Sequence, residues 1–117
     1  MTAIPYALLM ALIMVESGGN DRAIGREGEM GPLQIRPILL RDVERITGRT
    51  FTDDDAFNRQ TACQIALVYL NHYATEKRLG RPPTTRDYAL IWRHGPQGWK
   101  RPDPSPYWEK VKRHLPP

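Results

Sequence analysis

The sequence predicts a mainly α-helical single domain over residues 1–117, with about five helices around a buried central helix and a small irregular or β-hairpin lobe. Three observations carry this. Residues 3–15 form an apolar run long enough for a core helix. From about Asn58 to Leu79, Ala62, Ile65, Ala66, Tyr69, Leu70 and Tyr73 recur at the i, i+3, i+4 spacing of one helix face. Between these segments, residues 20–35 scatter Gly25, Gly28 and Gly31 among charges, the mark of loops and tight turns. A chain of 117 residues fills one core and falls short of two.

The first helix is expected from about Pro5 to Ser17. Proline suits a first-turn position, where its missing N–H would be unpaired anyway. Ile4, Leu8, Ala11, Leu12 and Val15 line one side, and Leu9, Met10, Ile13 and Met14 the other. A short helix that is apolar all round belongs inside its domain. Gly18 and Gly19 end it. Pro37 opens a second helix carrying Ile38, Leu39, Val43 and Ile46, which stops near Gly48. Thr52-Asp53-Asp54-Asp55 reads as a turn and a helix cap. The long helix closes at Gly80, before Pro82-Pro83. Thr84 or Thr85 caps a helix from Arg86 to about Arg93, and a last, basic and amphipathic helix spans Tyr107 to Leu115.

Composition narrows the function classes. With 40% hydrophobic and 26% charged residues the chain reads as a soluble globular protein. The net charge of +4 fits attraction to a polyanion, whether nucleic acid, anionic lipid or an acidic cell wall. Cys63 is the sole cysteine, so no intrachain disulfide forms, and it is expected as a buried structural thiol. His72, His94 and His114 are too scattered for zinc-ligand spacing, so neither metal nor cofactor is expected. The apolar run lacks a basic leader and a small-residue cleavage site, so no signal peptide is read within this chain. It is also shorter than the about 20 residues that a membrane span needs.

Glu16 draws attention on chemical grounds. Cleaving a glycosidic bond requires an acid to protonate the leaving oxygen. An ordinary glutamate is ionised at neutral pH, so such an acid must have its pKa raised. Apolar surroundings do this, and so does the negative end of a helix dipole. Glu16 has an apolar helix before it and a glycine break after it.

The neighbouring motifs strengthen that reading. Glu16-Ser17-Gly18-Gly19-Asn20 resembles the E-S-x-x-N opening of the lytic transglycosylase and goose-type lysozyme superfamily. Gly28-Glu29-Met30-Gly31-Pro32-Leu33-Gln34-Ile35 resembles its G-x-x-G-L-M-Q-I segment, with Pro32-Leu33 replacing Leu-Met. Tyr69-Leu70 is similar to the Y-L pair of its long helix, and Ile91-Trp92-Arg93-His94-Gly95-Pro96 to its A-Y-N-A-G-P segment. Order and rough spacing agree over about residues 5–115.

The resemblance implies a lysozyme-like (α+β) fold. It also implies cleavage of the β-1,4 bond between N-acetylmuramic acid and N-acetylglucosamine in peptidoglycan. Glu16 would be the catalytic acid. Ser17, Gln34, Ile35, Tyr69, Trp92, Arg93 and Trp99 would form the substrate-binding set, Trp99 through its place in a Gly/Pro loop. The partner implied is the glycan strand, met by a monomer at the cell wall, with nucleic acid and membrane spans excluded. A phage-encoded enzyme and a domain cut from a longer protein both suit a chain without a leader.

Two departures bear on activity. The family's Tyr-Asn pair falls on Trp92-Arg93, so Trp92 offers no phenol to Glu16; Tyr69 or Tyr73 could substitute, though core packing is the stronger reading of both. Arg93 near the acid would favour its ionised form. A hydrolase needs a second carboxylate, for which Glu27 and Glu29 are the candidates and Asp21 a more remote one. Without one, the sugar's own 6-hydroxyl attacks the anomeric carbon and leaves a 1,6-anhydro end. The alternative is a weakened peptidoglycan-binding module on the same fold. A basic helical nucleic-acid binder is the third class.

Overall fold

The structure is a computed structural model that describes residues 3–117. Its α-helices are α1 (Tyr6–Ser17), α2 (Pro37–Thr47), α3 (Asp53–Phe57), α4 (Arg59–Tyr73), α5 (Glu76–Leu79), α6 (Thr85–His94) and α7 (Pro106–Arg113), with a 3₁₀ turn at Gly98–Lys100. The expected segment 20–35 is an irregular lobe. It is pinned by two isolated antiparallel bridges, Ile24 with Met30 and Met30 with Ile35.

Helix ends follow the sequence closely. Gly18 closes α1 in a left-handed conformation, with its N–H on the Met14 carbonyl. Thr52 and Thr84 each form a reciprocal capping box, with Asp55 and Asp87 three residues on. The long helix expected to reach Leu79 instead ends at Tyr73. Thr75 is extended, and its hydroxyl accepts the Arg78 N–H to start α5. A threonine side chain that competes for backbone donors favours caps over helix interiors.

The buried centre differs from expectation in one respect. Leu8, Leu9, Ala11, Leu12 and Ile13 of α1 are buried, yet Met14 is 45% exposed and Tyr6 73%. The most fully enclosed segment is Asp87–Trp92 of α6, where all six residues are buried. α6 lies against α1, α4, α7 and the 3₁₀ turn, so it forms the spine of the core. Cys63 is half-buried and packs at the edge of that core, more open than expected. No helix among the described residues is long and apolar enough to cross a membrane.

Burying Asp87 on this spine is made tolerable by complete pairing. Its side chain is 1% exposed and takes both guanidinium arms of Arg81, one at 2.9 Å, and the Thr84 N–H at 2.7 Å. Burial pushes the carboxyl upward, but the Arg81 and Thr84 bonds outweigh it and leave its pKa lowered. The irregular lobe meets α3 through Gly31, which has φ 76°. A Cβ there would stand 2.0 Å from the Ala56 carbonyl oxygen.

Asp87→Ala should cost about 2–3 kcal/mol in urea unfolding at neutral pH, from a lost cap and charge-assisted bonds. Because the folded pKa is depressed, this stabilisation exists above the unfolded value and vanishes as pH falls through the folded one. The wild-type and Asp87→Ala stability curves should therefore converge in acid. Gly31→Ala should cost on the order of 3 kcal/mol by the same measurement, since it combines strained backbone with a direct clash.

Candidate active site

The last turn of α1 carries Glu16 to the floor of an open cleft of about 300 Å³. The cleft is also lined by Glu27, Glu29, Gln34, Arg36, Trp92, Arg93 and His94. The Glu16 side chain is 9% exposed. The Tyr107 hydroxyl, from α7, donates to Glu16 Oε2 at 2.7 Å. Arg93 Nη1 stands 3.8 Å from Oε1, and its guanidinium lies 5.6 Å from the Tyr107 ring centre. Burial raises the Glu16 pKa. The Tyr107 bond, Arg93 and Arg36 oppose it, Glu29 adds to it, and the net effect remains upward. Desolvation thus outweighs two nearby cations.

Glu29 is held the other way. Its carboxylate accepts the Glu27 N–H at 2.7 Å, and backbone N–H bonds depress its pKa, with Arg93 and Arg36 helping. Gly25 makes room for this arrangement: a Cβ at that position would lie 2.7 Å from both the Glu29 carboxyl and Gln34 Oε1. One cleft therefore holds a carboxyl whose pKa is raised and a second whose pKa is lowered. Such a divided pair is suited to acid–base chemistry.

Gln34 lines the cleft from an unusual backbone, with φ 53°. Its Nε2 donates to the carbonyls of Gly31, at 2.9 Å, and Ala23, at 3.2 Å. These bonds hold a long side chain in a left-handed conformation that it rarely adopts. His94 also enters the cleft, with its pKa lowered by burial and by Arg101, Arg93 and Arg36.

The structure redistributes the expected binding set. Ser17 is occupied at the helix end: its hydroxyl donates to the Ile13 carbonyl at 3.0 Å and accepts the Gly19 N–H at 3.2 Å. It does not line the cleft. Ile35 is fully buried and pairs with Met30, so it is core. Trp99 sits half-buried on the 3₁₀ turn between the Arg81 and Lys100 cations, outside the cleft. Tyr69 is 3% exposed, and burial pushes its pKa up to about 12. It packs edge-on against Trp92 and Tyr73 and reaches only a neighbouring hollow. Trp92 and Arg93 do line the cleft, as do both candidate carboxylates, Glu27 and Glu29. Asp21 is held by Arg59 at 2.7 Å instead.

The phenol that Trp92 lacks comes from Tyr107, not from Tyr69, which is core, or Tyr73. Tyr73 donates to Asp42 instead. Local pattern carried no signal for Tyr107, which is 91 residues from Glu16. The missing phenol at Trp92 was the one hint that another tyrosine must supply it. Arg36 and His94 were likewise not singled out as neighbours of the acid.

Tyr107→Phe should raise the Glu16 pKa further, because the lost bond favoured the ionised form. The carboxyl resonance of Glu16, followed by NMR through a pH titration, should move to higher pH. Arg93→Gln should shift it in the same direction. A downward shift in either variant would mean that the group removed does not favour the ionised form of Glu16.

A family model described as the Transglycosylase SLT domain matches residues 1–82. Among solved structures, the chain is similar to a chain of the crystal structure of Aeromonas hydrophila PliI in complex with Meretrix lusoria lysozyme. The TM-score is 0.79 at 20% identity, covering 97% of this chain and 93% of that one. Tapes japonica lysozyme gives a TM-score of 0.77 at 21% identity, over 93% of this chain and 89% of that one. The architecture is therefore lysozyme-like, and with its acid-bearing helix inside the matched stretch, this chain belongs to the transglycosylase SLT domain family, whose members act on peptidoglycan.

Proposed function

We propose that this protein cleaves the β-1,4 bond between N-acetylmuramic acid and N-acetylglucosamine in peptidoglycan, with Glu16 as general acid. The observation that supports this reading is a buried Glu16, its pKa raised by desolvation, facing an open cleft that it shares with Glu29, whose pKa is lowered. Glu16 gives its proton to the glycosidic oxygen as the bond to the anomeric carbon breaks. Glu29 supports hydrolysis: its carboxylate stabilises the cationic ring and takes the proton of the incoming water. Tyr107 and Arg93 steady the Glu16 carboxylate once its proton has left. Gln34, its amide nitrogen held by the Gly31 and Ala23 carbonyls, offers its amide oxygen to the glycan.

A second reading has a specific support in the family match. In transglycosylation Glu16 first gives its proton to the leaving oxygen, the muramoyl 6-hydroxyl then attacks the anomeric carbon and yields its own proton to the Glu16 carboxylate, and Glu29 serves only as an electrostatic partner. The product ends separate the routes: reducing ends for hydrolysis, 1,6-anhydro ends for transglycosylation. The chain works on the wall as a monomer in this reading, whether it comes from a phage or from a longer protein.

Glu16→Gln should lower peptidoglycan cleavage by about 10²–10⁴-fold, the usual contribution of a general acid, as measured by release of soluble muropeptides. The same variant should melt higher at neutral pH. A folded pKa above the unfolded one favours folding at low pH and becomes a cost as pH rises through it. The gap in melting temperature should shrink below about pH 4, where glutamate is protonated in both states. Undiminished release by Glu16→Gln would remove the residue from the reaction.

A further inference from the structure

Beyond Arg93 and His94 the surface falls into another hollow, of about 460 Å³, between the end of α6, the loop 101–105 and the start of α7. Arg93, His94, Arg101 and Lys110 line it, and no carboxylate does. Glu16, Glu27 and Glu29 line the cleft, with Arg36, and not this hollow. The carboxylates of the flanking segments are engaged elsewhere: Asp103 by Arg86 at 3.1 Å and Glu109 by Lys112 at 3.2 Å. Among the described residues, Arg101 and Lys110 form no ion pair, and Arg93 has the single long approach of 3.8 Å to Glu16.

The hollow has a fixed frame. Arg86 donates to the Arg101 carbonyl at 2.7 Å and so ties the loop that carries Arg101 to α6. Pro102, Pro104 and Pro106 form one wall and offer no N–H, so the donors come chiefly from side chains. Ser105 is 5% exposed; its oxygen accepts the Trp108 N–H at 3.2 Å, and its own proton can donate into the hollow. The Tyr107 hydroxyl is held by Glu16, so Tyr107 contributes its ring.

Two guanidinium forks and an ammonium around one space exceed what a single carboxylate neutralises. A phosphoryl group brings three acceptor oxygens and about two negative charges near neutral pH, and the arginine fork matches it in shape. We propose that this hollow binds a dianionic phosphoryl group, either free phosphate or a phosphomonoester, through Arg101, Lys110 and Arg93. His94 reports on the same space. Its pKa is lowered by burial and by Arg101, Arg93 and Arg36, and the Tyr107 ring stands edge-on at 6.2 Å. A bound anion offsets those cations and raises that pKa. Because Arg93 lines both the hollow and the cleft, occupancy also draws on the cation that approaches Glu16. The site does not depend on peptidoglycan cleavage, since no glycan takes part in it.

The test titrates the protein with inorganic phosphate at constant ionic strength and follows the His94 ring resonances by NMR. Binding should saturate, and the His94 titration should move to higher pH. Arg101 and Lys110 are exposed, so Arg101→Glu with Lys110→Glu leaves the core untouched. That double variant should weaken phosphate binding about tenfold or more, and Lys110→Gln alone should weaken it in part. Lys77→Glu, on α5 and outside the hollow, should change it less than about twofold. Acetate should bind about tenfold more weakly than phosphate. Glycerol 3-phosphate separates the two sources: binding equal to that of phosphate supports a site open to monoesters, and its exclusion supports a site for the free anion. Phosphate binding that survives the double variant, or that Lys77→Glu weakens as much, overturns the proposal. So does a His94 titration indifferent to phosphate, or acetate binding as tight as phosphate.

Discussion

The structure turns on a contest over one proton. At the end of α1, Glu16 is withdrawn from water beneath α6 and α7 while two arginines and a phenol stand near enough to favour its anion. Desolvation acts on the whole charge at once, whereas Arg93 approaches only to 3.8 Å and is itself half exposed, so its attraction is screened by solvent. Burial prevails for that reason. Were Arg93 to form a short two-armed pair, as Arg81 does with Asp87, the carboxyl would be pulled toward its ionised form. The molecule thus contains the same pair of groups in two settings with opposite results. A short, two-armed pair leaves the Asp87 pKa lowered, and a single long approach leaves the Glu16 pKa raised.

Much of the scaffold could be read from local chemistry. The apolar run, the glycine break and the placement of Glu16 were visible because a buried helix and its terminator are written in consecutive residues. The cap at Thr52 was readable and the next was narrowed to Thr84 or Thr85, since a cap is written in residues a few apart; the fold selects Thr84 through its reciprocal bonds with Asp87. The break before Thr75 was missed because the apolar rhythm continues through it and only a hydroxyl marks the stop. The exposure of Met14 was missed for a related reason: periodicity says which residues share a face, not whether a neighbour covers that face.

The site was less accessible to sequence than the fold. Motif resemblance led to Gln34, Trp92 and Arg93, which line the cleft, but also to Ser17 and Ile35, whose work is to close a helix and fill the core. A motif records positions where substitution is costly without recording the cause. Tyr107 shows the converse. It supplies the shortest contact to the acid from a helix beyond the matched residues 1–82, and no pattern near Glu16 points to it. Glu29 lies between these cases. Its place near the glycine-rich loop could be read, but its anionic character depends on backbone N–H groups that only the folded lobe orients.

The Tyr107–Glu16 bond joins the first helix to the last, so the acid and its partner enter the fold from opposite ends of the chain. No local stretch contains both members of this pair. The α1 segment alone carries the carboxyl, and the last helix alone carries the phenol. The bond that favours the Glu16 anion against its burial forms only when the two ends dock, so the proton balance of this group is set by completed folding and shifts with any fraying of the last helix.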